Sequence, residues 1–121
     1  MRFMTIYKPA DPKGMEAGVP PTQDEIAKMG TFIEELAKSG VLLAADGLLS
    51  SATGARIRLS KGKITVTDGP FTESKELIAG FAIMEVKSKA EAIALTERFL
   101  RIAGEGESEI RQMHDTAAFA R

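Results

Sequence analysis

The chain has 121 residues, 44% hydrophobic and 27% charged, with a formal net charge of −1, which suits one soluble globular domain able to bury a single core. That balance leaves no global electrostatic case for nucleic acid or an anionic membrane surface as a partner. The absence of cysteine excludes disulfides, thiolate metal sites and a cysteine nucleophile, and a single histidine, His114, excludes a multi-histidine metal cluster.

In chain order, RFMTIYK alternates in strand-forming residues and predicts a strand over residues 2–8, with no signal-peptide pattern around it. PADPKGMEAGVPP holds four prolines and two glycines in thirteen residues and predicts a loop. Thr22-Gln23-Asp24-Glu25 is a capping box. Ile26, Met29, Ile33 and Leu36 then recur at helical spacing until Gly40, giving a helix over 23–39. VLLAADGLL (41–49) is nearly continuous in apolar character, the mark of a strand buried on both faces.

SSATG reads as a turn, ARIRLS as a short strand, and Lys61-Gly62 as a tight reversal into KITVT. IAGFAIMEV (78–86) is a further strand. Ser88-Lys89-Ala90-Glu91 is a second capping box, after which Ala92, Leu95, Phe99 and Ile102 share one helical face. GEGE breaks that helix, and SEIRQMH (108–114) alternates as the last strand. No apolar run approaches the length that spans a bilayer, so no membrane and a cytoplasmic location are expected.

Between the hairpin and the next strand lies Asp68-Gly69-Pro70-Phe71. Asp-Gly is normally a hairpin tip, but Pro70 has no N–H to close such a turn, and a residue before proline is driven toward extended geometry. The motif therefore reads as a stiff connector that ends one strand and holds the Asp68 carboxylate in a set place.

The order strand, helix, strand, hairpin, strand, helix, strand is a ferredoxin-like split βαβ arrangement of the α+β class, with an inserted β-hairpin. It predicts an antiparallel sheet with two helices on one face. Two helices leave the other face bare, and a second copy of the chain packed sheet to sheet is the economical cover, so a homodimer is expected.

TDGPFTESKELIAGF, FIEELAKSGVLLAADGL, MEAGVPP and GEGESEIRQ together make the whole chain resemble the YCII-related family, in its DGPF-motif branch. The resemblance implies a dimeric α+β barrel. It implies no reaction, since that branch has no established activity, although its relatives often occur near extracytoplasmic-function sigma factors. The broader family carries a His–Asp pair proposed as its active site. Asp68 is the counterpart of the Asp, and no early histidine matches the other half.

Asp68 is the candidate general acid or base, with a structural turn role as the alternative. In TESKE, Glu73 could share a proton with Asp68, and Lys75 could hold an anionic substrate, the alternative being a solvated charged loop. Lys8 and Arg111 lie in strands and are candidate ligand-binding cations. Arg56 and Arg58 share a hairpin face opposite Ile57 and Leu59, which reads as the wet side. His114 reads as an exposed strand-end residue rather than a haem ligand. No cofactor is expected.

Two functions follow from these readings. One is a small cofactor-independent enzyme, or enzyme-like protein, acting on a small polar organic molecule. The other is a non-catalytic ligand-binding or regulatory module linked to sigma-factor systems.

Overall fold

The structure, a computed structural model, describes residues 1–71 and 77–115. Strand β1 (Arg2–Pro9) alternates as its sequence demands: Phe3 and Thr5 are buried on one face, Met4 and Ile6 half-buried on the other. The stretch expected to be all loop contains a short helix, α1 (Pro12–Glu16). Pro12 takes the first helical position, where a missing N–H is no loss, and Asp11 Oδ1 accepts the Lys13 N–H at 3.1 Å.

Helix α2 (Gln23–Lys38) starts at Thr22, whose hydroxyl accepts the Glu25 N–H at 3.1 Å, and it stops before Gly40, which takes the left-handed φ of 79°. Its buried stripe is Phe32 and Leu36, with Met29 at its border. Ile26 and Ile33, expected on the core face, are 57% and 38% exposed. The helix has turned so that a line through positions 29, 32 and 36 meets the core. Arg98 secures that contact, stacking 4.9 Å over the Phe32 ring and pairing with Glu35 at 2.8 Å.

Strands β2 (Leu42–Gly47) and β5 (Gly80–Glu85), helix α3 (Lys89–Ala103) and strand β6 (Gly106–Gln112) complete the main layer. Between β2 and β5 the chain forms β3 (Ala55–Ser60) and β4 (Lys63–Asp68), preceded by a 3₁₀ turn at Ser51–Thr53. The four-stranded sheet has the order β2-β5-β1-β6, with each neighbouring pair antiparallel. Strand β5 thus lies between β1 and β2, and β1 between β5 and β6, which is the interleaved split βαβ topology.

Phe3, Met84, Val86 and Ala92 form the core on the helical face, with Val41, Leu95 and Ile110 packed against it. Tyr7 meets Phe99 edge-on at 5.3 Å, and its hydroxyl donates to the Glu105 carbonyl at 3.2 Å, tying β1 to the α3–β6 turn. Burial raises the pKa of that hydroxyl.

The opposite sheet face has no cover among the described residues. Met4 and Ile6 of β1 lie across from Ile83 and Phe81 of β5, all four only half-buried. The expectation that β2 is buried on both faces is corrected: it is an edge strand, with Leu43 at 52% exposure and Leu48 and Leu49 beyond it at 46% and 81%. The apolar run marks a surface without a second layer. Strand β6 is the other edge rather than an interior strand, which places Arg111 at the rim.

Strands β3 and β4 form a separate two-stranded ribbon in which all twelve residues are exposed. Lys61 and Gly62 reverse it with φ values of 51° and 77°, the left-handed pair of a type I′ turn. Among the described residues no helix is long and apolar enough to cross a membrane.

Candidate functional site

The connector Asp68-Gly69-Pro70-Phe71 is held from three directions. At the foot of the ribbon Asp68 pairs with Ala55, and the Gly69 N–H donates to the Gly54 carbonyl at 2.9 Å. Gly69 runs so close to the 3₁₀ turn that a Cβ there would lie 1.7 Å from the Ser51 carbonyl oxygen, so only glycine fits without moving the backbone. Past the cis Gly69–Pro70 peptide, the Phe71 N–H donates to Ser51 Oγ at 2.7 Å. Arg56 stacks its guanidinium 4.0 Å over the Phe71 ring.

Ser51 is itself anchored by a carboxylate from the first turn of structure after β1. Glu16 Oε2 accepts the Ser51 N–H at 2.8 Å, and Glu16 Oε1 accepts the Ser51 hydroxyl. The result is a continuous chain, Glu16 to Ser51 to Phe71, that links α1, the 3₁₀ turn and the connector. Beside it Pro12, Lys13, Glu16, Ala17 and Leu77 line an open cleft of about 280 Å³.

The predicted site residues divide between two places. Asp68 ends β4 with an exposed side chain, and its carboxylate makes no hydrogen bond to a described residue. Ribbon pairing sets Ile57 opposite Val66 and Ala55 opposite Asp68, so all four share one face. Lys8 and Arg111 meet on the uncovered face of the main sheet, where Glu109 accepts from both, at 3.5 Å and 3.1 Å respectively. The Arg111 hydrogen bond, then that from Lys8, hold the Glu109 carboxyl below the usual carboxylate range. Glu73 and Lys75 lie outside the described residues.

Arg56 and Arg58 occupy the ribbon's polar face as expected, yet the opposite face is no drier, with Ile57 and Leu59 at 71% and 67% exposure. His114 follows β6 as an exposed residue, and its carbonyl accepts from Arg2 at 2.7 Å.

Glu16 and Ser51 were not among the sequence candidates. Glu16 falls in MEAGVPP, read only as loop, and Ser51 in SSATG, read only as turn. A signal was available in the connector: a glycine locked before a proline implies close backbone approach by another segment. It does not say which segment.

Fold and site together define a small α+β domain with a split βαβ sheet, an inserted ribbon and a clamped connector at the ribbon's foot. The chain belongs to the YCII-related domain family, whose model matches residues 1–115. Among solved structures it is similar to 5-chloro-2-hydroxyhydroquinone dehydrochlorinase from Burkholderia phenoliruptrix, determined in complex with 2,5-dihydroxybenzoquinone. That similarity has 17% identity and a TM-score of 0.48, and covers 97% of this chain and 98% of the other. None of the curated proteins matches the sequence.

Proposed function

We propose that this chain is a small cofactor-independent enzyme that acts on a small polar organic molecule, with Asp68 as its general acid or base. One observation carries the reading: the connector after Asp68 is clamped by Gly54, Ser51 and Arg56, while the Asp68 carboxylate itself is left unengaged by the described residues. A structural turn aspartate would accept backbone N–H groups. A catalytic carboxylate needs the opposite arrangement, a rigid mount and a free head. Glu16 and Ser51 act here as positioning residues, because they hold Phe71 and touch no reacting atom.

Glu73 and Lys75 follow in the chain and would orient the substrate. Lys8 and Arg111 add positive charge on the uncovered sheet face, where a second copy would pack in a sheet-to-sheet dimer within the cytoplasm. Proton transfer α to a carbonyl, in an isomerase or lyase reaction, suits a single carboxylate base without a metal.

The test pairs ligand-observed NMR against a panel of small hydroxy and keto acids with product analysis by mass spectrometry. Wild type should convert at least one binder. Asp68→Asn should leave the amide spectrum intact and lower turnover by on the order of 10² to 10⁴, the usual worth of a positioned acid or base. Turnover unchanged by Asp68→Asn would remove Asp68 from the mechanism. Binding without conversion by wild type would instead support a non-catalytic ligand-binding module, a reading favoured by the solvent exposure of Asp68 in the single chain.

A further inference from the structure

The whole-chain charge of −1 conceals an uneven distribution. Residues 55–67 hold Arg56, Arg58, Lys61 and Lys63 and no carboxylate, so the ribbon carries +4 and the other residues together −5. Arg56 is engaged with the Phe71 ring at the ribbon's foot. Arg58, Lys61 and Lys63 make no ion pair with a described residue. Strand pairing sets Arg56, Arg58, Lys63, Thr65 and Thr67 on one face. The other face holds Ile57, Leu59, Ile64 and Val66, at 71%, 67%, 58% and 60% exposure, and ends at the foot in Asp68.

Two adjacent cross-strand pairs of large aliphatic side chains make a bare patch on the order of a few hundred Å², the size that marks an interaction surface. No described element other than its own partner strand packs extensively on either strand. A two-stranded hairpin alone is only marginally stable in water. The ribbon therefore gains from surroundings that dry one face and neutralise the other. A nucleic acid would neutralise the cations and leave the four aliphatic side chains wet. An uncharged apolar surface would do the reverse. The surface of an anionic bilayer meets both needs, because acyl chains and lipid phosphates lie within a side chain's length of each other.

We propose that the β3–β4 ribbon is a peripheral membrane-contact element, which lays its apolar face on the boundary between headgroups and acyl chains of an anionic bilayer. Ile57, Leu59, Ile64 and Val66 enter to about 5–10 Å, the depth at which amphipathic interfacial segments lie. The two six-residue strands run along the membrane plane for about 20 Å. Arg58 and Lys63 bend their aliphatic stems back toward the lipid phosphates, and Lys61 at the turn meets them directly. The inner backbone groups of the ribbon are paired strand to strand, while its two outer edges keep to the hydrated headgroup layer. Contact of this kind needs no spanning helix, and the described residues contain none. It is independent of the acid or base role of Asp68, and neither test bears on the other.

The full chain is sedimented with vesicles of phosphatidylcholine alone and with vesicles containing phosphatidylglycerol as roughly one-third of the lipid. Wild type should partition on the order of 100-fold more strongly onto the anionic vesicles, roughly fivefold for each of Arg58, Lys61 and Lys63. Leu59→Glu should weaken that binding on the order of 10-fold or more, with β1 and β5 amide shifts unchanged. Lys63→Gln should weaken it roughly fivefold. Because the chain has no cysteine, Leu59→Cys and Thr65→Cys each accept a single nitroxide, one on either face. On vesicles the label at 59 should become open to oxygen and shielded from a nickel chelate, while the label at 65 stays open to the chelate.

Equal partitioning onto neutral and anionic vesicles, or none onto either at millimolar lipid, overturns the proposal. Binding unchanged by Leu59→Glu overturns it too, as does chelate access to both labels, which would mean adsorption by charge alone. Where Leu59→Glu disturbs the β1 and β5 shifts, Lys63→Gln and the pair of labels decide. Binding to a duplex DNA probe without binding to vesicles would assign the cations to nucleic acid, and overturns the membrane contact as well.

Discussion

The main sheet and the ribbon carry the same alternation of apolar and polar residues and end in different surroundings. Phe3 and Met84 fall to 4% and 3% exposure because α2 and α3 lie over that face of the sheet. Ile57 and Val66, no less apolar and equally well paired across strands, remain 71% and 60% exposed. Period-two alternation determines which residues share a face. Whether that face becomes dry depends on a second layer, and the two long helices among the described residues, α2 and α3, are both spent on one side of one sheet.

The difference can be broken by energetics. Phe3→Ala should cost about 3–5 kcal/mol in chemical denaturation, the range for deleting a buried aromatic ring. Ile57→Ala should stay within about 0.5 kcal/mol when measured at protein concentrations too low for association, since an exposed side chain loses little on truncation. Equal losses at the two positions would show that the ribbon belongs to the same core as the sheet.

A sharper probe sits where the two regions join. Ser51→Ala removes the acceptor of the Phe71 N–H and one of the two donors that Glu16 receives. The expected loss is about 1–3 kcal/mol, the cost of half-buried groups left without partners. It should be local: hydrogen exchange at the Phe71 amide accelerates while the β1 and β5 amides keep their protection. Uniform acceleration would mean that the connector is part of the sheet's cooperative unit, and the distinction between the two regions would blur. Ser51→Thr, which keeps the hydroxyl, should recover most of the protection.

Much of the sheet region was legible in the sequence because its signals are short-range. Thr22 and Ser88 announced both long helices through caps that the structure reproduces, each accepting an N–H three residues on at 3.1 Å. Lys61-Gly62 announced the ribbon turn, and Pro70 correctly argued against a hairpin tip at Asp68-Gly69. The clamp behind the connector was not legible. Glu16 and Ser51 are 35 positions apart, and nothing in either segment names the other. The same limit explains Ile26 and Ile33, since helical spacing fixes a stripe only to within the rotation that packing against α3 selects.

The smallest effect concerns the uncovered face of the sheet, where the sequence candidates Lys8 and Arg111 turn out to share one carboxylate. The Glu109 carboxyl is held below its usual range, first by the Arg111 hydrogen bond and then by Lys8. Its folded pKa is therefore lower than its unfolded value of about 4.3. The stability from this cluster is present above that unfolded value and is lost as the pH falls through the folded pKa. Wild type should sag in stability below about pH 4 relative to Glu109→Gln, whose profile lacks this contribution. Arg111→Ala should flatten the sag more than Lys8→Ala, because Arg111 makes the closer contact, 3.1 Å against 3.5 Å. The reverse order would mean that the less exposed Lys8 controls the carboxylate, and that burial rather than hydrogen-bond geometry governs charge on this face. Sodium chloride at 1 M, which shortens the screening length to about 3 Å, should weaken the sag in wild type and leave Glu109→Gln unmoved in this pH range.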